Sequence, residues 1–129
     1  MNATRRTLLS LIGGCLLATS ATAAETLAFD AARFEAAQRA GKSILVDVTA
    51  PWCPICFVQN LTLSAFDFDA RFNDLVVFKV DYDSQKTVLR RFNVQRQGTL
   101  IVFKGSREVG RSVGDPTAAH IEALLVSSL

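Results

Sequence analysis

Two periodicities alternate along this chain. Phe29, Phe34 and Ala37 can share one side of a helix running from Phe29 to Ala40, with Asp30 placed to cap its start and Gly41 to end it. Ser43 to Thr49 is a β-branched apolar run without alternation, which predicts a central strand covered on both faces. Asp47 breaks that run. Pro51 to Cys56 reads as a turn entering a helix that continues to about Ser64. Asp67 to Asn73 reads as its continuation or as a second short helix. Leu75 to Asp81 predicts a second buried strand, and Ser84 to Phe92 a helix with Val88, Leu89 and Phe92 inward. Thr99 to Lys104 and Glu108 to Ser112 predict a hairpin across Gly105-Ser106-Arg107. Asp115 is the expected cap of a final helix, with Pro116 in its first turn and Ile121, Leu124, Leu125 and Leu129 along its apolar stripe. The order helix, strand, helix, strand, helix, strand, strand, helix predicts an α/β domain whose mixed sheet carries helices on both faces.

The first 24 residues follow a different pattern. Arg5 and Arg6 precede an apolar stretch from Leu8 to Ala18, and small residues end in Ala21-Thr22-Ala23-Ala24. This is the layout of a secretory signal peptide, with cleavage expected after Ala23 or Ala24 and export to the periplasm. A stretch of about 11 residues is well short of the roughly 20 that span a bilayer. The expected organisation is therefore a leader at 1–24 and one domain at 25–129.

Setting the leader aside changes the charge and cysteine pictures. The whole chain has 14 basic and 12 acidic residues. Removing Arg5 and Arg6 leaves twelve of each, which gives no electrostatic reason to expect nucleic acid as a partner. Of 3 cysteines, Cys15 lies in the leader, so Cys53 and Cys56 remain, two residues apart. A disulfide scaffold would need more cysteines, spread more widely.

Trp52-Cys53-Pro54-Ile55-Cys56 stands where a strand ends and a helix begins. Two sulfurs this close can bond within one helical turn. A cysteine at a helix N-terminus meets unpaired N–H groups and the positive end of the helix dipole, which favour its thiolate. Pro54 suits the first helical turn, where its missing N–H costs nothing. Cys56, one turn inside, should be the more buried sulfur. Half a zinc site is the competing reading. Zinc needs four ligands, or three plus water, and outside the leader the chain offers two cysteines and one histidine, His120, which makes a single-chain structural zinc site an unfavoured reading.

The segment Ile44-Leu45-Val46-Asp47-Val48-Thr49-Ala50-Pro51-Trp52-Cys53-Pro54-Ile55-Cys56 resembles the active-site segment of the thioredoxin family. The resemblance continues through Phe78-Lys79-Val80-Asp81, Leu89 to Val94 and Thr99 to Gly105. The Val-Asp-Val-Thr-Ala-x-Trp-Cys variant most resembles the periplasmic thioredoxin-like domain of DsbD-type transmembrane thiol transporters. The family's usual first strand is not obvious, and at most Thr26 to Phe29 could supply it.

The resemblance implies a thioredoxin fold and thiol–disulfide exchange, with Cys53 as nucleophile and Cys56 as resolving partner. It implies that Asp47 moves the proton of the resolving cysteine, that Lys79 neighbours this acid, and that Trp52 flanks the site. An acid in an apolar strand should also have a raised pKa, which suits a proton acceptor. No cofactor beyond the Cys53–Cys56 disulfide is implied. The implied partners are disulfide-containing client proteins and, by the DsbD likeness, a membrane thiol transporter that recharges a monomeric reductase.

Gly98 departs from the family, which has a cis-proline before the threonine matched by Thr99 and uses that loop to bind substrate. A cis bond before a non-proline residue costs about 2.5–4 kcal/mol, so Gly98 is expected trans. The departure bears on client affinity. It also keeps open a second reading, a metal-binding or metal-delivery protein using the same two thiolates for copper, zinc or an iron–sulfur cluster. A third reading, a non-catalytic interaction module, leaves the cysteine pair beside a buried acid unexplained.

Overall fold

The computed structural model describes residues 23–129, so the expected leader lies outside the described residues except for Ala23 and Ala24. In chain order the elements are β1 (Glu25–Ala28), α1 (Ala31–Arg39), β2 (Ser43–Thr49), α2 (Pro54–Ala65), a 3₁₀ turn (Ala70–Phe72), β3 (Val76–Asp81), α3 (Lys86–Arg91), β4 (Thr99–Lys104), β5 (Arg107–Val113) and α4 (Ala118–Val126). The strands make a 5-stranded sheet in the order β1-β3-β2-β4-β5. β1, β3 and β2 run parallel, and β4 and β5 are antiparallel to their neighbours β2 and β4. This is the mixed α/β sheet that the periodicities predict.

Local chemistry explains where α1 begins and ends. The Asp30 side chain accepts the Arg33 N–H at 2.9 Å, and Phe29 packs on Phe34 across the cap with ring centroids 5.5 Å apart. Gly41, at φ +68, reverses the chain while the Gly41 and Lys42 N–H groups bond Gln38 and Ala37 carbonyls. Phe29 is thus outside the helix, as a staple.

Two sequence expectations need correction. A first strand does exist, at Glu25–Ala28, one residue earlier than the segment considered for it. It is a short edge strand held by pairing to β3, and its own residues are largely exposed, so it lacks a hydrophobic signature. Asp115 does not cap α4. The helix starts at Ala118 behind Thr117, and Asp115 instead accepts the Thr117 N–H at 2.8 Å and meets His120 Nδ1 at 2.6 Å. Pro116 therefore precedes the helix and does not sit in its first turn.

The sheet divides the core by residue parity. Ile44, Val46 and Val48 of β2 pack with Phe34, Phe78, Phe92 and Phe103. Leu45 packs on the opposite face with Phe72, Val77, Leu100, Ile121 and Leu125. Asp47, two residues beyond Leu45, belongs to that second face, the one covered by α2 and α4.

Candidate active site

β2 delivers the chain to a tight turn at Ala50–Trp52, closed by the Cys53 N–H on the Ala50 carbonyl at 3.2 Å. Cys53 is the N-cap of α2, in extended conformation, and Pro54 opens the helix. The Cys53 Sγ accepts the Cys56 N–H at 3.2 Å. One of the otherwise unpaired N–H groups of the first turn is therefore aimed at sulfur, the arrangement that favours a thiolate there. Cys53 and Cys56 are joined in a disulfide, with Cα atoms 5.3 Å apart.

Their exposure differs less than expected. Cys56 is 1 % exposed, as a resolving cysteine inside the helix should be, but Cys53 is only 3 % exposed. Cys53, expected to be the less buried of the two sulfurs, is packed in the disulfide form with Ala50, Ile55 and Tyr82.

Trp52 does not pack away. It is largely exposed, its Nε1–H donates to Asp83 Oδ2 at 2.8 Å, and its ring meets Tyr82 edge-on. Asp83 and Tyr82 thus border the site, although nothing in the Asp81-Tyr82-Asp83 segment marks them for that role.

Asp47 is buried, and the Lys79 ammonium bonds its carboxylate from the neighbouring strand. Burial raises the Asp47 pKa, and the charge and hydrogen bond of Lys79 pull it part of the way back. The same ammonium donates to Asn60 Oδ1 of α2. Asp47 therefore sits beneath the helix that carries both cysteines, linked to it through Lys79. A cavity of about 140 Å³, lined by Asn60, Ser64, Thr26 and Lys79 among others, opens beside the ammonium.

The loop before β4 closes the site. No peptide bond among the described residues is cis, so Gly98 is trans, with φ +74. Its N–H donates to the Val48 carbonyl at 2.8 Å, and its own carbonyl accepts from Gly114 N–H at 2.9 Å and Gln59 Nε2 at 3.0 Å. Thr99 is buried and its hydroxyl donates to the Arg96 carbonyl at 2.7 Å, bracing the same loop. Gln97, beside them, makes no backbone hydrogen bond within the described protein. Gln59 and Asn60 escaped the sequence reading; the signal available was a pair of polar residues inside an α2 that has no charged residue. For the metal-binding reading, no three His, Cys, Asp or Glu side chains gather among the described residues, so the two sulfurs stand without a third such ligand.

Comparison with known proteins places this geometry. Residues 25–127 match the thioredoxin family. A thioredoxin H-type of Brassica campestris is 35% identical over 95 residues, covering 73% of this chain and 74% of the relative. Thioredoxin of Alicyclobacillus acidocaldarius is 31% identical over 104 residues, 81% of this chain and 98% of that one. The crystal structure of Trxlp from Edwardsiella tarda EIB202 superposes with a TM-score of 0.76 at 38% identity, covering 78% of this chain and 98% of the other.

Proposed function

This chain belongs to the thioredoxin family, and from that premise we propose that it is an exported protein-disulfide reductase. Thiol–disulfide oxidoreductase chemistry comes with the family and with the Cys53–Cys56 pair. The observation that carries the reading is the position of Cys53: an N-cap whose sulfur receives the Cys56 N–H while lying within bonding reach of the Cys56 sulfur.

The reaction follows from that geometry. In the reduced protein the Cys53 thiolate attacks one sulfur of a client disulfide. A Cys53–client bond forms, the client S–S bond breaks, and one client thiolate leaves. Cys56 gives its proton to the Asp47 carboxylate, whose burial makes it a good acceptor. The Cys56 thiolate then attacks the Cys53 sulfur. The Cys53–client bond breaks, the second client thiolate departs, and two electrons have passed from enzyme to client. The client segment lies against Gln97, whose free backbone N–H and C=O can pair with an extended chain.

Export rests on the pattern of residues 1–24, and the reducing direction on the likeness of the Val-Asp-Val-Thr-Ala-x-Trp-Cys segment to the DsbD periplasmic domain. A membrane thiol transporter would return the electrons, and the protein would act as a monomer. Trapping tests the exchange step and where it takes place. Cys56→Ser should hold clients in mixed disulfides on Cys53 in the exported fraction, and Cys53→Ser should hold far fewer. Equal recovery by both variants, or none by either, would remove the proposal.

A further inference from the structure

Gln59 is an anomaly inside α2. It is 0% exposed, on a helix face where an aliphatic residue would ordinarily pack. Both hydrogens of its Nε2 are used, one on the Gly98 carbonyl at 3.0 Å and one on the Asp115 carbonyl at 3.1 Å. Its Oε1 has no hydrogen-bond partner among the described residues. A buried amide with one unpaired atom costs stability, so what marks Gln59 is the work of its paired half.

What it holds is the loop in front of the dithiol. Glycine is the residue with most backbone freedom to lose, and Gly98 stands where a rigid backbone is needed to present Gln97 to a client. Its three hydrogen bonds supply the rigidity that its own covalent structure lacks. Two come from neighbouring backbone, and the third comes from the helix that bears Cys53 and Cys56. Ile55, inside the Cys-Pro-Ile-Cys motif, completes the fit. A Cβ on Gly98 would lie 3.1 Å from Ile55 Cγ2 and 3.4 Å from Gln59 Oε1. The absent side chain at 98, the branched side chain at 55 and the amide at 59 occupy one space between them.

We infer that Gln59 is a positioning residue for client binding: it ties the client-facing loop at Gly98, and the Asp115 loop beside it, to the dithiol helix at a fixed distance from Cys53. The inference deepens the reductase reading and rests on it. Gln59 touches neither sulfur, so its loss should affect clients that need the loop and spare those too small to reach it.

The test compares two oxidants of the reduced protein, insulin and hydroxyethyl disulfide. Gln59→Met keeps the volume and removes both donors. It should lower kcat/KM for insulin about fivefold to tenfold, chiefly through KM, the effect expected of losing hydrogen bonds of ordinary strength. The rate with hydroxyethyl disulfide should stay within about twofold. Gly98 amide hydrogen exchange should accelerate beyond that of Val46 in the same sheet. Gln59→Asn, a methylene too short to span both carbonyls, should show the same split and serves if the methionine variant folds poorly. Ser43→Ala, which loses the buried bond to the Ser128 carbonyl at the far end of β2, controls for general destabilisation and should leave both rates alone. If the two rates fall together in the Gln59 variants, if neither falls, or if Gly98 exchange is unchanged, the inference is wrong. Wild-type protein that cannot reduce insulin would count against the reductase reading; the exchange measurement still decides the clamp.

Discussion

Asp47 and Lys79 are directly opposed on parallel strands β2 and β3, and their charged ends meet beneath α2 in an unequal environment. The carboxylate side chain is 1% exposed and the ammonium side chain 32%. The acid is therefore the more desolvated of the two, while its partner keeps contact with solvent. A partly buried pair of this kind contributes little to stability, and the proposed reaction gives its acid a use in proton transfer.

Because burial raises the Asp47 pKa, the folded state holds this proton more tightly than the unfolded state does. The contribution of Asp47 is then favourable below the ordinary aspartate range and is lost as pH rises through the raised value. Asp47→Asn should be more stable than wild type at pH 7, by a higher urea midpoint, and its stability should fall less across that window. The same variant should slow release of client from the mixed disulfide by about 100-fold, the lower end of general-base effects. Formation of the mixed disulfide should be little changed. Rapid-quench separation of the two steps checks both expectations.

Lys79→Gln removes the charge that lowers the Asp47 pKa, so that pKa should climb further. The pH at which resolution reaches half its maximal rate should move up with it. Carboxyl titration by NMR, run beside the rate profile, should report the same shift. Asn60→Ala, which takes away only the second anchor of the ammonium, should give a smaller displacement in the same direction.

Oxidised protein should resist urea better than reduced protein. Closing the short loop between Cys53 and Cys56 removes unfolded-state entropy worth about 2 kcal/mol. A reductase is expected to be more stable in its disulfide form, since that is the form its reaction produces. Should the reduced form have the higher midpoint, the oxidising direction would be favoured instead.

Asp83→Ala should free the Trp52 indole N–H from its side-chain acceptor. Trp52 is the single tryptophan, so its emission reports the site alone and should shift to the red in this variant. Stability should change by less than about 0.5 kcal/mol, because the bond is exposed.

Phe34→Ala should cost about 3–5 kcal/mol by chemical denaturation. Its ring lies within 5.6 Å, centroid to centroid, of the rings of Phe29, Phe78, Phe92 and Phe103. Two of those rings, Phe78 and Phe103, stand on β3 and β4, so Phe34 ties α1 to the sheet.

Local patterns carry local information, and the chain shows how far that extends. The non-alternating, largely apolar run at 43–49 is a central strand because a strand buried on both faces need not alternate, and its bounds are readable to the residue. The cap at Asp30, the stop at Gly41, the helix start at Pro54 and the placing of Cys53 at its N-terminus are likewise settled by neighbours within a few residues. The anomalous Asp47 is visible because polarity in an apolar run is visible. Tertiary structure decided what depends on partners distant in sequence. β1 exists because β3 offers it an edge, not because its residues form a strand. Cys53 is buried because Ala50, Ile55 and Tyr82 close over a sulfur turned toward Cys56. Gln59 looks like any polar helical residue until the fold brings Gly98 and Asp115, 39 and 56 residues away, to its amide. Hydrogen bonds of that span have no periodicity to betray them; they arise only when the sheet has set its register and the helices have settled on its faces.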